Sequence, residues 1–235
     1  MNKTKDFSFK QFSICGGQSG MAVSTDGVLL GAWIQLHDKH KILDIGTGTG
    51  LLALMCAQRS DKSQITAVDI DEGAVCAARY NAEQSPWHQR LKVQQTDITH
   101  ADLKQQFDRI ICNPPYFTSG EATQHQARAQ ARHTLTLSHH ALLTACKTWL
   151  TCEGRASFIL PKVEGLAFIG LAQSQGWYLS RLCLVHTTLK KTSYRVLFEL
   201  SLSPSETQQS ELTIHQDSGY SEAFIDLTKA FYLKM

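Results

Sequence analysis

The sequence predicts an α/β fold: a mostly parallel sheet with helices on both faces. Two observations carry this. Short apolar runs alternate with helical stretches through most of the chain, the pattern of strands joined by crossover helices. One of those runs, Lys41-Ile42-Leu43-Asp44-Ile45, leads directly into Gly46-Thr47-Gly48-Thr49-Gly50 and then a helix. At 235 residues, 43% apolar and 19% charged, the chain suits one sizeable domain with a real core.

In order, strands are expected at residues 41–45, 65–69, 92–95, 107–112, 156–160, 178–185 and 196–202. Helices are expected at 51–58, 72–84, 139–150 and 163–175, with another opening at Ser221. The polar stretch 203–210, which contains Pro204, reads as a surface loop. Residues 1–40 are expected to form an amino-terminal extension over the carboxyl edge of the sheet, 41–235 a Rossmann-like core, and 117–136 a long insert at a strand's carboxyl end, where such folds place functional loops.

No apolar run is long enough to cross a bilayer, and residues 1–10 are too polar for a signal peptide, so a cytoplasmic protein is expected. The seven cysteines are scattered without a Cys-x-x-Cys pair and read as reduced thiols. No metal site is expected, because His139-His140 lacks a third ligand at a usual spacing. A net charge of +2 excludes a general basic coat. Residues 181–195, however, carry Arg181, Lys190, Lys191 and Arg195 with no acid, a local patch suited to phosphate.

The glycine-rich turn lets backbone approach a ligand closely. It is neither Gly-x-Gly-x-x-Gly nor a P-loop, and the preceding Asp44 would repel a pyrophosphate while suiting a cationic amino-acid group. Asp69, closing the second strand, is placed to accept from ribose hydroxyls, and Asp97, after the third, from an adenine amino group. Together these residues point to S-adenosylmethionine. Thr47 and the neighbours Ile70 and Ile98 complete the expected cofactor contacts.

Asn113-Pro114-Pro115-Tyr116 follows the fourth strand. An asparagine oxygen and the Pro114 carbonyl can accept both protons of a planar amine, and the aromatic ring can stack on the base carrying it. The prolines fix the backbone that aims the carbonyl. Such a site acts on an unpaired or extruded base.

These motifs make the chain resemble a class I S-adenosylmethionine-dependent methyltransferase. It is most similar to the bacterial family that methylates the exocyclic amine of the adenine just 3′ of the anticodon in a valine tRNA. Further matching segments are Phe9-Lys10-Gln11-Phe12, Thr25-Asp26-Gly27-Val28, Gln84-Ser85-Pro86-Trp87, Ala131-Arg132-His133-Thr134 and Tyr220-Ser221-Glu222-Ala223.

The resemblance implies a seven-stranded sheet, with Asp44, Gly46, Gly48, Gly50, Asp69 and Asp97 at the cofactor and Thr25 and Asp26 closing over its methionine end. It implies that Asn113, Pro114 and Tyr116 orient the adenine, with Pro115 and Phe117 beside it. Arg128, Arg132, Lys190, Lys191 and Arg195 are the expected contacts to the tRNA anticodon loop, and no protein partner or membrane is implied. The alternatives are a glutamine methyltransferase of a release factor, which uses the same Asn-Pro-Pro-Tyr run, and another DNA or ribosomal amino-methyltransferase.

Overall fold

The structure is a computed structural model that describes residues 4–17, 22–115, 137–188, 192, 194–217 and 219–234. Its main sheet has nine strands: β3 (Lys41–Ile45), β4 (Gln64–Asp69), β5 (Leu91–Gln95), β6 (Phe107–Cys112), β7 (Leu150–Pro161), β8 (Tyr178–Thr188), β9 (Arg195–Ser201), β10 (Gln208–Gln216) and β11 (Gly219–Tyr220). The order across the sheet is β11-β10-β8-β9-β7-β6-β3-β4-β5. From β5 to β7 all neighbours are parallel, and β9 runs antiparallel to both β7 and β8.

All seven strands expected from sequence are present, and β10 and β11 extend the sheet past them. The stretch read as a loop therefore ends at residue 207. β10 escaped notice because only Leu212 and Ile214 face inward while the rest of the strand is polar, as befits a strand near an edge.

Helices cover both faces. On one, α4 (His139–Trp149) and α5 (Lys162–Ser174) pack Leu142, Leu143, Phe168 and Ile169 against Leu43, Ile110, Phe158 and Phe198. On the other, α1 (Thr25–Trp33) and α2 (Leu51–Arg59) pack Leu29, Leu30, Leu52 and Cys56 against Ile42, Ile65, Ile111 and Leu197. α1 lies within the extension, where the sequence predicts no helix. It shows no amphipathic period because Asp26 through Trp33 are all buried. Gly31 allows the close approach, since a Cβ there would lie 2.6 Å from Met55 Sδ.

The hairpin of β1 (Phe7–Ser8) and β2 (Ser13–Ile14) lies outside the sheet and contributes Phe9, Phe12 and Ile14 to a third apolar cluster. That cluster also holds Val28, Leu51, Met55 and Phe231, the last of which follows α6 (Glu222–Thr228). Residues 1–40 are thus tied to both the core and the carboxyl-terminal segment. Among the described residues no helix is long and apolar enough to cross a membrane.

Candidate active site

Register brings the motifs together. Ile45 pairs with Val68 of β4 and Cys112 of β6, so Gly46, Asp69 and Asn113 leave three adjacent strands at the same sheet edge. Asp69 pairs with Gln95 of β5, which puts Asp97 next along that edge.

The glycine turn is fixed by its own backbone and two acids. Gly46 and Thr47 donate to the Val68 carbonyl at 2.9 and 3.0 Å, and Gly50 donates to Thr47 O at 2.9 Å. Gly50 is the N-cap of α2 with φ 86°, and a Cβ there would also sit 3.4 Å from the Ala78 backbone. Glycine meets both demands. Asp69, buried, accepts from Gly48 N at 2.9 Å and from Asp71 N at 3.0 Å.

Asp44 lies beneath the turn, fully buried. Its Oδ2 accepts from Thr47 Oγ1 at 2.6 Å and Ala53 N at 3.1 Å, while Oδ1 is buried with no hydrogen-bond partner among the described residues. Burial, reinforced by Asp69, raises its pKa from 3.8 to about 7 against the pull of those two bonds. An open carboxylate oxygen in that setting is ready for a cationic ligand, the expected methionine end of S-adenosylmethionine.

Asp97 is half-buried and organises the turn after β5. It accepts from Thr99 N at 2.9 Å and Thr99 Oγ1 at 2.7 Å, with His100 Nδ1 3.1 Å away. Burial pushes its pKa upward, but the Thr99 and His100 bonds prevail and hold it below the ordinary carboxylate value. Ile98 is buried in the core, whereas Ile70 is exposed beside Asp69.

Asn113 is half-buried, and its Oδ1 is likewise buried with no hydrogen-bond partner among the described residues. Pro114 is buried and Pro115 half-buried. The preceding Cys112 thiol is pushed well up by burial and stays protonated. Tyr116, Phe117, Arg128, Arg132, Lys190 and Lys191 lie outside the described residues.

The extension meets this edge at the start of α1. Ser24 caps the helix, accepting from Gly27 N at 3.1 Å. Thr25 is exposed in the first turn, whereas Asp26 is buried and receives Arg195 Nε at 2.7 Å. Arg195 also stacks over Tyr194 at 4.8 Å. Within the expected basic patch, Arg195 ties α1 to β9 through Asp26, and Arg181 turns toward Glu199 and lies 3.9 Å over the Trp33 ring.

One residue that the motifs did not reveal also belongs to the site. Asn81 of α3 (Glu72–Glu83) hydrogen-bonds the glycine turn and the extension together. Its signal is only a polar residue on the inward face of a helix whose neighbours Ala77, Ala78 and Ala82 are buried.

A parallel sheet with a reversed strand beside its last parallel member, and a glycine turn over an acid, define a class I S-adenosylmethionine-dependent methyltransferase. Residues 23–153 match the methyltransferase small domain. A predicted O-methyltransferase from Agrobacterium tumefaciens superposes with a TM-score of 0.71 over 88% of this chain and 96% of its own, at 17% identity, a likeness of fold.

The chain belongs to the tRNA1(Val) (adenine(37)-N6)-methyltransferase family. The member from Vibrio parahaemolyticus is 58% identical over 99% of this chain and 98% of its own length. That from Vibrio cholerae is 53% identical over 98% and 96%. The expected fold, enzyme class and cofactor are therefore met.

Proposed function

We propose that this protein transfers a methyl group from S-adenosylmethionine to the N6 amine of adenine 37 in tRNA1(Val), acting in the cytoplasm on the anticodon loop. The observation that carries the reading is the pairing of Ile45 with Cys112. It sets the glycine turn and Asn113 on neighbouring strand ends, where Asp44 Oδ1 and Asn113 Oδ1 are both buried with no partner among the described residues. Two buried acceptors without donors fit a ligand cation and a ligand amine.

S-adenosylmethionine supplies an electrophilic methyl on a sulfonium. The protein's part is positioning. Asn113 Oδ1 and the Pro114 carbonyl accept the two amine protons, which turns the nitrogen lone pair out of the ring plane toward the donor side. Holding reactants in line contributes roughly 7–11 kcal/mol, and no strong base is needed. Tyr116 would stack on the adenine, and Arg128, Arg132, Lys190 and Lys191 would meet tRNA phosphates.

The test incubates the protein with labelled cofactor and total tRNA from a strain lacking the enzyme, then maps the modified nucleoside by mass spectrometry. N6-methyladenosine next to the valine anticodon is expected. No label in tRNA, with label instead appearing in parallel incubations with a release factor or ribosomal RNA, would overturn the assignment. Reversing the charge of Lys190 and Lys191 should weaken tRNA binding and flatten its dependence on salt.

A further inference from the structure

We infer that Asn81 is a positioning residue for the cofactor, coupling the amino-terminal extension to the glycine turn. Its side chain is buried on α3 and joins three segments. Oδ1 accepts from Cys15 N at 2.8 Å, while Nδ2 donates to Cys15 O at 3.0 Å and to Thr49 O at 2.9 Å.

The assignment of nitrogen and oxygen is forced by the partners. One end meets an N–H and must accept; the other meets two carbonyls and must donate twice. Asparagine alone among side chains of this size offers that set. Cys15 is thereby bound through both its backbone groups, as one strand residue binds another.

The bond to Thr49 fixes a peptide that matters. The Thr49–Gly50 unit is held at its carbonyl by Asn81 and at its N–H by Thr47 O, 2.9 Å away. That peptide shapes the turn between Asp44 and the first residues of α2. Asp44 and Asp69 brace other parts of the same turn, through Thr47, Ala53 and Gly48. Asn81 is the brace that reaches outside the core, to the extension just after β2.

The seat of the extension and the shape of the cofactor turn therefore rest on one amide. A change at Asn81 loosens both together, and it acts on cofactor affinity rather than on the transfer step at Asn113.

The inference builds on the cofactor reading of the turn, and the test separates the two. Wild-type protein, Asn81→Asp and Asn81→Ser are titrated with S-adenosylhomocysteine by calorimetry and assayed with tRNA. Amide exchange is followed over residues 13–17 and 46–50. Asn81→Asp keeps the acceptor but turns a carboxylate oxygen toward two carbonyls; Asn81→Ser is smaller and neutral, and is the variant to use if the first does not fold.

Losing the donated bonds should weaken S-adenosylhomocysteine binding about tenfold. The KM for S-adenosylmethionine should rise in step, while kcat and the KM for tRNA stay within about twofold. Exchange should quicken in both segments. Unchanged S-adenosylhomocysteine affinity with only a lower Tm would reduce Asn81 to a purely structural residue. Faster exchange in one segment alone would refute the coupling. Wild-type protein that fails to bind S-adenosylhomocysteine would overturn the cofactor reading itself.

Discussion

Asp44 and Glu199 are both buried carboxylates in central strands, and their surroundings are opposite. Glu199 in β9 is enclosed by donors: Ser157 and Ser180 hydroxyls at 3.3 and 3.1 Å, with Arg155 and Arg181 nitrogens at 4.0 and 3.8 Å. Asp44 in β3 has one oxygen engaged by the glycine turn and one left open, and no ion pair among the described residues. The first is a charge neutralised by its own fold. The second is, on the proposed reading, a charge whose counter-ion is the amino group of the cofactor. Burial alone does not mark a functional acid; an incomplete set of partners does.

The sharpest way to break this contrast is Glu199→Ala, which leaves the half-buried Arg155 and Arg181 without the acid they share. It should cost about 3–5 kcal/mol of stability, read from urea unfolding, while S-adenosylhomocysteine affinity of the folded protein is unchanged. A shift in that affinity would show that the antiparallel half is not merely structural.

Asn113→Ala makes the complementary test at the other end. Turnover should fall about 100-fold, equivalent to about 2.7 kcal/mol in the barrier, with S-adenosylhomocysteine binding and Tm near wild type. A parallel loss of cofactor binding would move Asn113 from the amine to the cofactor.

Gly165→Ala probes packing in the half that holds Glu199. A methyl there runs into Val196 Cγ2, between α5 and β9, so about 1–3 kcal/mol of stability should be lost with the KM for S-adenosylmethionine unaltered. Unchanged thermal unfolding would mean that α5 can shift on the sheet.

The subtlest effect is a pH slope. Because the Asp44 pKa is raised from 3.8 to about 7 in the folded protein, the folded state binds this proton more tightly than the unfolded chain. Its stabilising contribution is complete below about 3.8 and is lost as pH rises through about 7. Asp44→Asn should flatten that part of the stability profile. In wild type, S-adenosylhomocysteine binding should strengthen over the same rise, because its amino cation favours the ionised carboxyl; an identical profile in Asp44→Asn would remove Asp44 from the contact.

Much of this was legible in the sequence because local chemistry dictated it. Gly46 and Gly50 announce a turn that only glycine adopts, and Pro114 and Pro115 announce a strand end. Once strand order follows the crossover rule, the two motifs must converge. What escaped was set by tertiary environment. α1 is buried on every side and has no period to detect, and β10 has only two inward apolar residues, Leu212 and Ile214. Arg181 and Arg195 looked like a surface patch, since the acids that claim them, Glu199 and Asp26, are distant in the chain or across a helix cap. Asn81 gains its meaning from backbone groups 32 and 66 residues away.

The Arg195–Asp26 pair carries a consequence for how such chains can be recombined. It spans 169 positions, and Lys10 N reaches the Phe231 carbonyl across nearly the whole polypeptide. A chimera that swaps the first forty residues keeps this pairing only where the incoming segment carries an acid at position 26 to meet Arg195 and seats its backbone against residue 231. Productive exchanges should keep the head and tail of the polypeptide as one heritable block.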